Sequence, residues 1–137
     1  MKFTTFGPGE QWDSAWTDPA PAMLGGKGAG LVWMVQQGVS VPPGFILPVS
    51  VWEQYDKKPK TTMKAIAKEL PVYLKMLDKH FGYRPLVSVR SGARTSMPGM
   101  MDTILNVGID AKSEEFWLKK LGSATYDDTL HRLVAVA

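Results

Sequence analysis

The sequence predicts an α+β fold, because it combines one long segment of helical periodicity with several short apolar runs typical of strands. Proline and glycine divide the rest of the chain into short elements, and we find no internal repeat. With 137 residues, of which 45% are apolar, the chain suits one domain over residues 1–137. A chain of this size buries roughly two thirds of its unfolded surface.

Composition excludes several classes of protein. The net charge is only +3 and the lysines are spread along the chain, so bulk nucleic-acid binding is not indicated. The absence of cysteine excludes a disulfide framework, a thiolate metal site and a cysteine nucleophile. Residues 1–9 lack the apolar core of a signal peptide, and no run approaches the ~20 apolar residues of a membrane span. We therefore expect a soluble, cytoplasmic protein that does not bind a membrane.

The N-terminal elements follow from turn and helix signals. Residues 3–16, with Gly7-Pro8-Gly9, predict a strand and a tight turn, followed by a loop over residues 17–21. A helix is predicted from Gly28, with Gly38 as its C-terminal cap. The residues that share one face of this helix are Leu31, Met34 and Val35.

Two further elements are predicted in the middle of the chain. Pro42-Pro43-Gly44 forces an extended turn into residues 45–47, which are short and apolar enough for a buried strand. Residues 61–80 are amphipathic at helical spacing, and Pro71 should kink or divide this helix. The apolar positions of the segment and of the residue that follows it are Met63, Ile66, Ala67, Leu70, Leu74, Leu77 and Phe81.

The C-terminal elements enclose the most unusual segment. Residues 86–89 read as a strand that delivers Arg90 to its end, and residues 103–107 read as another strand. Ser113, followed by two glutamates, is predicted to cap a helix that stops at Gly122. A last helix carries apolar residues on one face, namely Leu130, Leu133, Val134 and Ala137.

A glycine-rich segment precedes the first predicted helix. Gly25, Gly26 and Gly28 surround Lys27, and free backbone N–H groups at a helix start favour an anion, to which the lysine adds a full charge. The segment lacks the Walker A pattern, and glycine-rich turns are common. Phosphate binding and a plain structural turn therefore both remain open.

Two arginines leave the end of the third predicted strand. Arg90 and Arg94 lie four residues apart among small residues, and guanidinium groups suit phosphate oxygens. The alternative is that they pair with surface carboxylates such as Asp102.

The following loop is rich in methionine and contains a Pro-Gly turn, without the periodicity of a core segment. This pattern suits a lid over a ligand, whereas the alternative is a loop tucked under neighbouring helices. The candidate lid residues are Met97, Gly99, Met100, Met101, Asp102 and Thr103.

Three segments, residues 24–34, 39–45 and 88–108, resemble the N-terminal nucleotide-binding domain of the pyruvate phosphate dikinase family. The specific one is residues 88–108, Ser-Val-Arg-Ser-Gly-Ala-Arg-Thr-Ser-Met-Pro-Gly-Met-Met-Asp-Thr-Ile-Leu-Asn-Val-Gly, a match too long to meet by chance. It also separates the chain from phosphoenolpyruvate synthases, whose equivalent loop differs. The resemblance implies the first part of an ATP-grasp domain.

The resemblance further implies roles for single residues. The family residues that match Lys27 and Arg90 contact ATP phosphates, and the loop that matches residues 97–103 closes over them. The family uses ATP with Mg²⁺, but its Mg²⁺ ligands, its phosphohistidine domain and its pyruvate-binding barrel lie outside the matched stretch. We therefore expect a truncated module with no catalytic residue and no metal ligand of its own. Whether it is an enzyme stays open.

No other catalytic arrangement is evident in the sequence. His80 and His131 lie in helical segments without a phosphohistidine context, so we interpret both as structural or surface residues. There is no carboxylate pair, nucleophile–base couple or HExxH motif.

Three functions remain as hypotheses. The first is a nucleotide-phosphate binding module, and the second is one chain of a split dikinase that a second protein completes. The third is a noncatalytic interaction or structural protein, an assembly component or decoy, for which tryptophans could provide contacts. Tryptophan is more often a core residue than a contact residue, and the five are Trp12, Trp16, Trp33, Trp52 and Trp117.

Overall fold

The computed structural model describes residues 1–9, 11–13, 21–91 and 103–126. These residues form two antiparallel two-stranded sheets, β1 with β2 and β3 with β4, and four helices. The predicted α+β class is therefore confirmed. The elements in chain order are β1 (Thr4–Phe6), α1 (Pro21–Gln36), β2 (Gly44–Ile46), α2 (Val49–Lys57), α3 (Pro59–Phe81), β3 (Val87–Arg90), β4 (Thr103–Val107) and α4 (Glu114–Leu121).

The core lies where α1 packs on the β1–β2 sheet. In this sheet Phe6 pairs with Gly44, and the ring of Phe6 lies so close that a Cβ atom at Gly44 would approach it to 2.5 Å. Glycine is therefore required here to let the aromatic ring cross the neighbouring strand. The buried cluster consists of Phe6, Leu24, Ala29, Val32 and Val41.

An aromatic group connects the same sheet to α3. The ring of Tyr73 lies 4.7 Å from that of Phe3 and 5.5 Å from that of Phe45, centroid to centroid. The buried backbone N–H of Phe3 donates to the Tyr73 hydroxyl at 2.9 Å. This bond joins residues 70 positions apart and satisfies a donor that would otherwise be buried without a partner.

The end of α1 confirms the predicted cap. Gly38 has φ of 80°, its N–H donates to the carbonyl of Val35, and the N–H of Val39 donates to that of Met34, both at 3.0 Å. This is the Schellman arrangement, in which a left-handed residue lets two amides bond back to the last helical turn.

Two features of the middle helices differ from the sequence interpretation. Helix α2 was not predicted; it is 9 residues long, and Val51 is its one buried residue. Helix α3 continues through Pro71, so the predicted division is wrong. The proline removes the donor to the carbonyl of Ala67, and both residues are exposed, so water can replace the lost bond.

The strands of the second sheet and the bounds of α4 agree with the sequence interpretation, but the cap of α4 differs. The Asp110 carboxylate accepts the N–H groups of Ser113 and Lys112 at 2.8 and 3.0 Å, whereas the Ser113 side chain makes no capping bond. Asp110 is thus the side-chain cap of this turn, since its carboxylate reaches the amides two and three residues ahead. The stop at Gly122 is confirmed. Residues 123–126 are helical, whereas the apolar positions of the predicted last helix, residues 130–137, lie outside the described residues.

Candidate functional site

The glycine-rich segment lies inside α1 and not before it. The helix begins at Pro21, seven residues ahead of the predicted start at Gly28, and its backbone departs from helical geometry only at Gly25, with φ 74° and ψ 164°. Glycine alone adopts this conformation readily. The predicted glycine-rich turn is thus reduced to a break at Gly25, and the helical part that follows starts two residues ahead of the predicted Gly28.

The break creates a new helix start. Helical geometry resumes at Gly26, so Gly26, Lys27 and Gly28 form the first turn of the second part of α1. Amides in a first helical turn have no regular partner in the preceding turn, and they point along the axis with the positive end of the dipole. Because Lys27 is exposed, its ammonium group can contact the same anion as these amides.

Gly28 has a structural role that the sequence did not reveal. A Cβ atom at this position would lie 3.1 and 3.2 Å from the side-chain carbons of Ile46 on β2. The glycine thus allows α1 to approach the sheet closely, which fixes the position of the first turn. Its contribution to a phosphate site would come through its amide alone.

The β3–β4 hairpin brings two of the predicted residues together. Arg90 pairs with Thr103, and residues directly opposite in an antiparallel pair point to the same face. Arg90 is exposed and Thr103 is half-buried, so the guanidinium extends to solvent beside a hydroxyl. Of the predicted lid residues, Thr103 is the one among the described residues, and it begins β4.

A bulge in β4 contributes to this arrangement. Val87 faces Val107 and Val89 faces Ile104, which leaves one extra residue in β4 between the two pairs. The extra length is accommodated near Asn106, whose φ of 59° is left-handed. The bulge keeps all four of these apolar residues on one face of the hairpin and Arg90 on the other.

An ion pair orients the segment that leads into β3. Arg84 donates from Nε and Nη2 to the two carboxylate oxygens of Asp78, at 2.6 and 2.9 Å. The hydrogen bond from Arg84 lowers the pKa of Asp78, and the same bond raises the pKa of Arg84. A two-point contact of this kind defines direction as well as distance, and it anchors the turn between α3 and β3.

The described candidate residues lie on two separate elements, α1 and the β3–β4 hairpin. Neither a hydrogen bond nor an ion pair between described residues joins Lys27 to Arg90, and α1 packs on α2 and β1 while β3 packs on β4. Arg94 and the proposed lid residues Met97, Gly99, Met100, Met101 and Asp102 lie outside the described residues. The alternative pairing of Arg90 with Asp102 lies outside them as well.

The described residues also limit the chemistry. Within residues 1–9, 11–13, 21–91 and 103–126, there is no group of three or more histidine or acidic side chains that could hold a metal ion. The ring of His80 contacts those of Trp12 and Phe81 at 5.8 and 4.9 Å, which agrees with a structural role. His131 is outside the described part. No described helix has the length and apolar character to span a bilayer.

Comparison with known proteins identifies relatives. No protein-family model matches the chain. It is 45% identical over 98 residues to pyruvate, phosphate dikinase of Entamoeba histolytica, covering 66% of this chain and 11% of that protein. It is 37% identical over 119 residues to pyruvate, phosphate dikinase 1 of Oryza sativa, which covers 82% of this chain and 13% of that protein. It is 39% identical over 116 residues to the dikinase of Rhizobium meliloti, which covers 80% of this chain and 13% of that protein.

The relatives that match are all dikinases by name. More particularly, the chain is homologous to the N-terminal region of pyruvate, phosphate dikinase. It spans only 11–14% of the length of the curated relatives that it matches. The resemblance read from residues 88–108 is thereby confirmed.

Proposed function

We propose that the chain binds the phosphate groups of a nucleotide, ATP by analogy with its dikinase relatives. The observation that supports the proposal most directly is the break at Gly25, which starts a new helical turn with Lys27 in it. A first helical turn offers backbone donors and a positive dipole end to an anion. The second element is the Arg90 side chain on the exposed face of the β3–β4 hairpin.

Each group has a distinct part in this proposal. The amides of residues 26–28 donate to phosphate oxygens, Lys27 neutralises charge, and Arg90 donates two parallel hydrogen bonds. The Thr103 hydroxyl beside Arg90 provides a further donor. Binding and orientation are what these groups supply, and we do not propose catalysis by this chain alone.

Mg²⁺ would be the expected companion of ATP in such a site, where it would neutralise part of the phosphate charge. No three described histidine or acidic side chains lie close enough together to hold a metal ion. In addition, Asp78 is engaged by Arg84 and Asp110 by backbone amides. The proposal therefore assigns phosphate contacts to this chain and no Mg²⁺ ligand among its described residues.

Isothermal titration calorimetry of the purified chain tests the proposal. ATP, ADP and pyrophosphate should bind with dissociation constants in the millimolar range or below, with and without Mg²⁺, whereas adenosine should bind much more weakly. Lys27→Ala and Arg90→Ala should each reduce affinity by about 1 to 3 kcal/mol, the scale of charge-assisted hydrogen bonds. Lys64→Ala is the matched control, since Lys64 is an exposed lysine on α3.

The possible results separate clearly. If none of the three phosphate ligands binds at millimolar concentration, the proposal is wrong. If the control variant weakens binding as much as Lys27→Ala, the attraction is a property of the net positive charge and not of a site.

A second candidate function is protein interaction, either as a structural component or as one chain of a split dikinase. The observation that favours it is the exposure of two large aromatic side chains, Trp33 at 56% and Trp52 at 63%. Trp12 and Trp117, in contrast, are buried. Exposed tryptophan is enriched at interfaces. A purified chain that stays monomeric and copurifies with no protein from its native extract would count against this function.

A further inference from the structure

The face of α3 that points away from the core carries a row of lysines. At about 100° of rotation per residue, five lysines of this helix fall within an arc of roughly 100°. The buried residues of α3, Thr62, Tyr73 and Leu77, lie on the opposite side of the helix. All five lysines are exposed, and together they are called the lysine stripe here: Lys60, Lys64, Lys68, Lys75 and Lys79.

Neighbouring carboxylates do not neutralise the lysine stripe. Among the described residues, no carboxylate lies within ion-pair distance of any of its five ammonium groups. The acidic residues of α3 are Asp78 and Glu69. Asp78 lies on the same face but is engaged by Arg84 at 2.6 and 2.9 Å, and Glu69 is half-buried and lies outside the arc.

The positive charge of the chain is concentrated in this region. From the start of α2 to Arg84, residues 49–84 contain eight lysine and arginine residues and four acidic residues. Their net charge of +4 exceeds the +3 of the whole chain, so the remainder of the chain is slightly acidic. The stripe is therefore a local excess of charge and not a sample of an evenly basic surface.

This spacing of like charges opposes helix formation. Lys60, Lys64 and Lys68 follow one another at intervals of four residues, as do Lys75 and Lys79. Like charges four residues apart destabilise a helix, and exposed helix faces commonly alternate the two signs instead. A bound partner of opposite charge removes this repulsion, so the face suits an anionic partner better than solvent alone.

The centre of the stripe indicates which kind of anion fits. Between Lys68 and Lys75 the surface carries Pro71 and Val72, both exposed, with Val72 at 54%. The stripe has neither an aromatic side chain on which bases could stack nor an arginine for two-point contacts with phosphate. A polypeptide can place an apolar side chain on Val72 and carboxylates on the lysines at either side.

We propose that the lysine stripe docks an acidic segment of a partner protein, in which an apolar residue lies between two clusters of carboxylates. The stripe is about 28 Å long from Lys60 to Lys79, and lysines four residues apart are separated by about 6 Å along the axis. Carboxylates at every fourth residue of a helix, or at alternate residues of an extended segment, recur at nearly the same distance. The site shares no residue with the proposed phosphate-binding groups or with Trp33 and Trp52.

Fluorescence anisotropy of a labelled synthetic peptide tests the proposal. In this peptide two clusters of glutamate flank a single leucine. The comparison probes are the same peptide with serine for leucine, the same peptide with glutamine for every glutamate, inorganic polyphosphate, and vesicles that contain phosphatidylserine. The glutamate–leucine peptide should bind, and added salt should weaken it because the contacts are exposed ion pairs. It should also shift the amide NMR signals of residues 60–79 in the ¹⁵N-labelled chain.

Two triple variants with the same net charge locate the interaction. Each exposed ion pair contributes about twofold to fivefold in affinity, so replacing three stripe lysines by glutamine should weaken the peptide roughly tenfold to a hundredfold. The control replaces three lysines of the α4 region and should weaken it less than about twofold. All six lysines are exposed; the stripe variant changes Lys60, Lys68 and Lys75, and the control changes Lys112, Lys119 and Lys120.

The apolar contact has its own test. Val72→Thr keeps the shape of the side chain and replaces a methyl group by a hydroxyl. It should weaken the glutamate–leucine peptide about twofold and leave the serine peptide unaffected, since the lost contact is with the leucine.

The docking site and the phosphate site are distinguishable in one further pair of variants. Lys64→Ala should weaken the peptide about twofold to fivefold and leave the affinity for ATP unchanged. Lys27→Ala should weaken ATP and leave the peptide unchanged. Failure of either site therefore leaves the other proposal intact.

Several results would overturn the proposal. Equal losses in the two triple variants would show that net charge alone attracts the peptide. Polyphosphate that binds as tightly as the peptide, together with equal affinities of the leucine and serine peptides, would make the stripe a general polyanion site. Tighter binding to the vesicles than to the peptide would assign it to an anionic membrane surface.

Discussion

The break in α1 gives the sharpest test of the structure, because two glycines of one helix should respond to alanine in opposite directions. At Gly25 the backbone has φ 74° and ψ 164°, a conformation that costs a residue with a Cβ atom about 1 to 3 kcal/mol. At Gly30 the helix is regular and no heavy atom lies within 4 Å of an added Cβ. Alanine there should therefore stabilise the helix by up to about 1 kcal/mol.

Thermal unfolding followed by circular dichroism measures both effects. For a chain of 137 residues, about 1 kcal/mol corresponds to roughly 4 °C in melting temperature. Gly25→Ala should therefore lower the melting temperature by about 4 to 12 °C, and Gly30→Ala should raise it by up to about 4 °C. If both substitutions raise the melting temperature, α1 is a continuous helix and the break, with the phosphate-binding turn that depends on it, does not exist.

Three further predictions concern a buried hydrogen bond, a helix cap and a carboxylate. Tyr73→Phe should destabilise the chain by about 1 to 3 kcal/mol, because the amide of Phe3 loses its buried acceptor, whereas Tyr55→Phe on exposed α2 should be nearly neutral in urea unfolding. Gly38→Ala should lower the free energy of unfolding by about 1 to 2 kcal/mol in the same assay, because φ at this position is 80°. An unchanged urea midpoint would contradict the left-handed cap. Amide hydrogen bonds, first from Ser113, lower the pKa of Asp110, so its contribution to stability is present above the ordinary value near 3.8 and is lost as pH falls through the lower folded value. In Asp110→Asn the free energy of unfolding should therefore fall less steeply as the pH is lowered. A pH dependence of stability equal to that of the unchanged chain would refute this.

The elements that sequence patterns predicted well are those with a local cause. The strand at residues 103–107 agrees with the structure residue for residue, and the stops at Gly38 and Gly122 are where turn chemistry places them. The homology to pyruvate, phosphate dikinase was evident from residues 88–108 alone, since a long specific match carries more information than any single motif.

The departures from the sequence interpretation have two different causes. The sequence predicted that Pro71 would kink or divide α3, and the helix is not divided, because solvent exposure reduces the cost of the missing hydrogen bond. The glycines around Lys27 indicated a turn before a helix. The structure reduces this turn to a break at Gly25, and Gly28 packs closely on Ile46 in the helical part that follows.

The α+β class, the strand at residues 103–107, the helix stops and the candidate residues Lys27 and Arg90 could be read from the sequence. Helix stops and turns depend on dihedral angles and hydrogen bonds within a few residues, so a sequence displays them directly. The pairing of Arg90 with Thr103 across a bulged hairpin and the bond from the Phe3 amide to Tyr73 are visible only in the folded chain. Strand register and buried partners depend on which distant surfaces pack together, which no local pattern encodes.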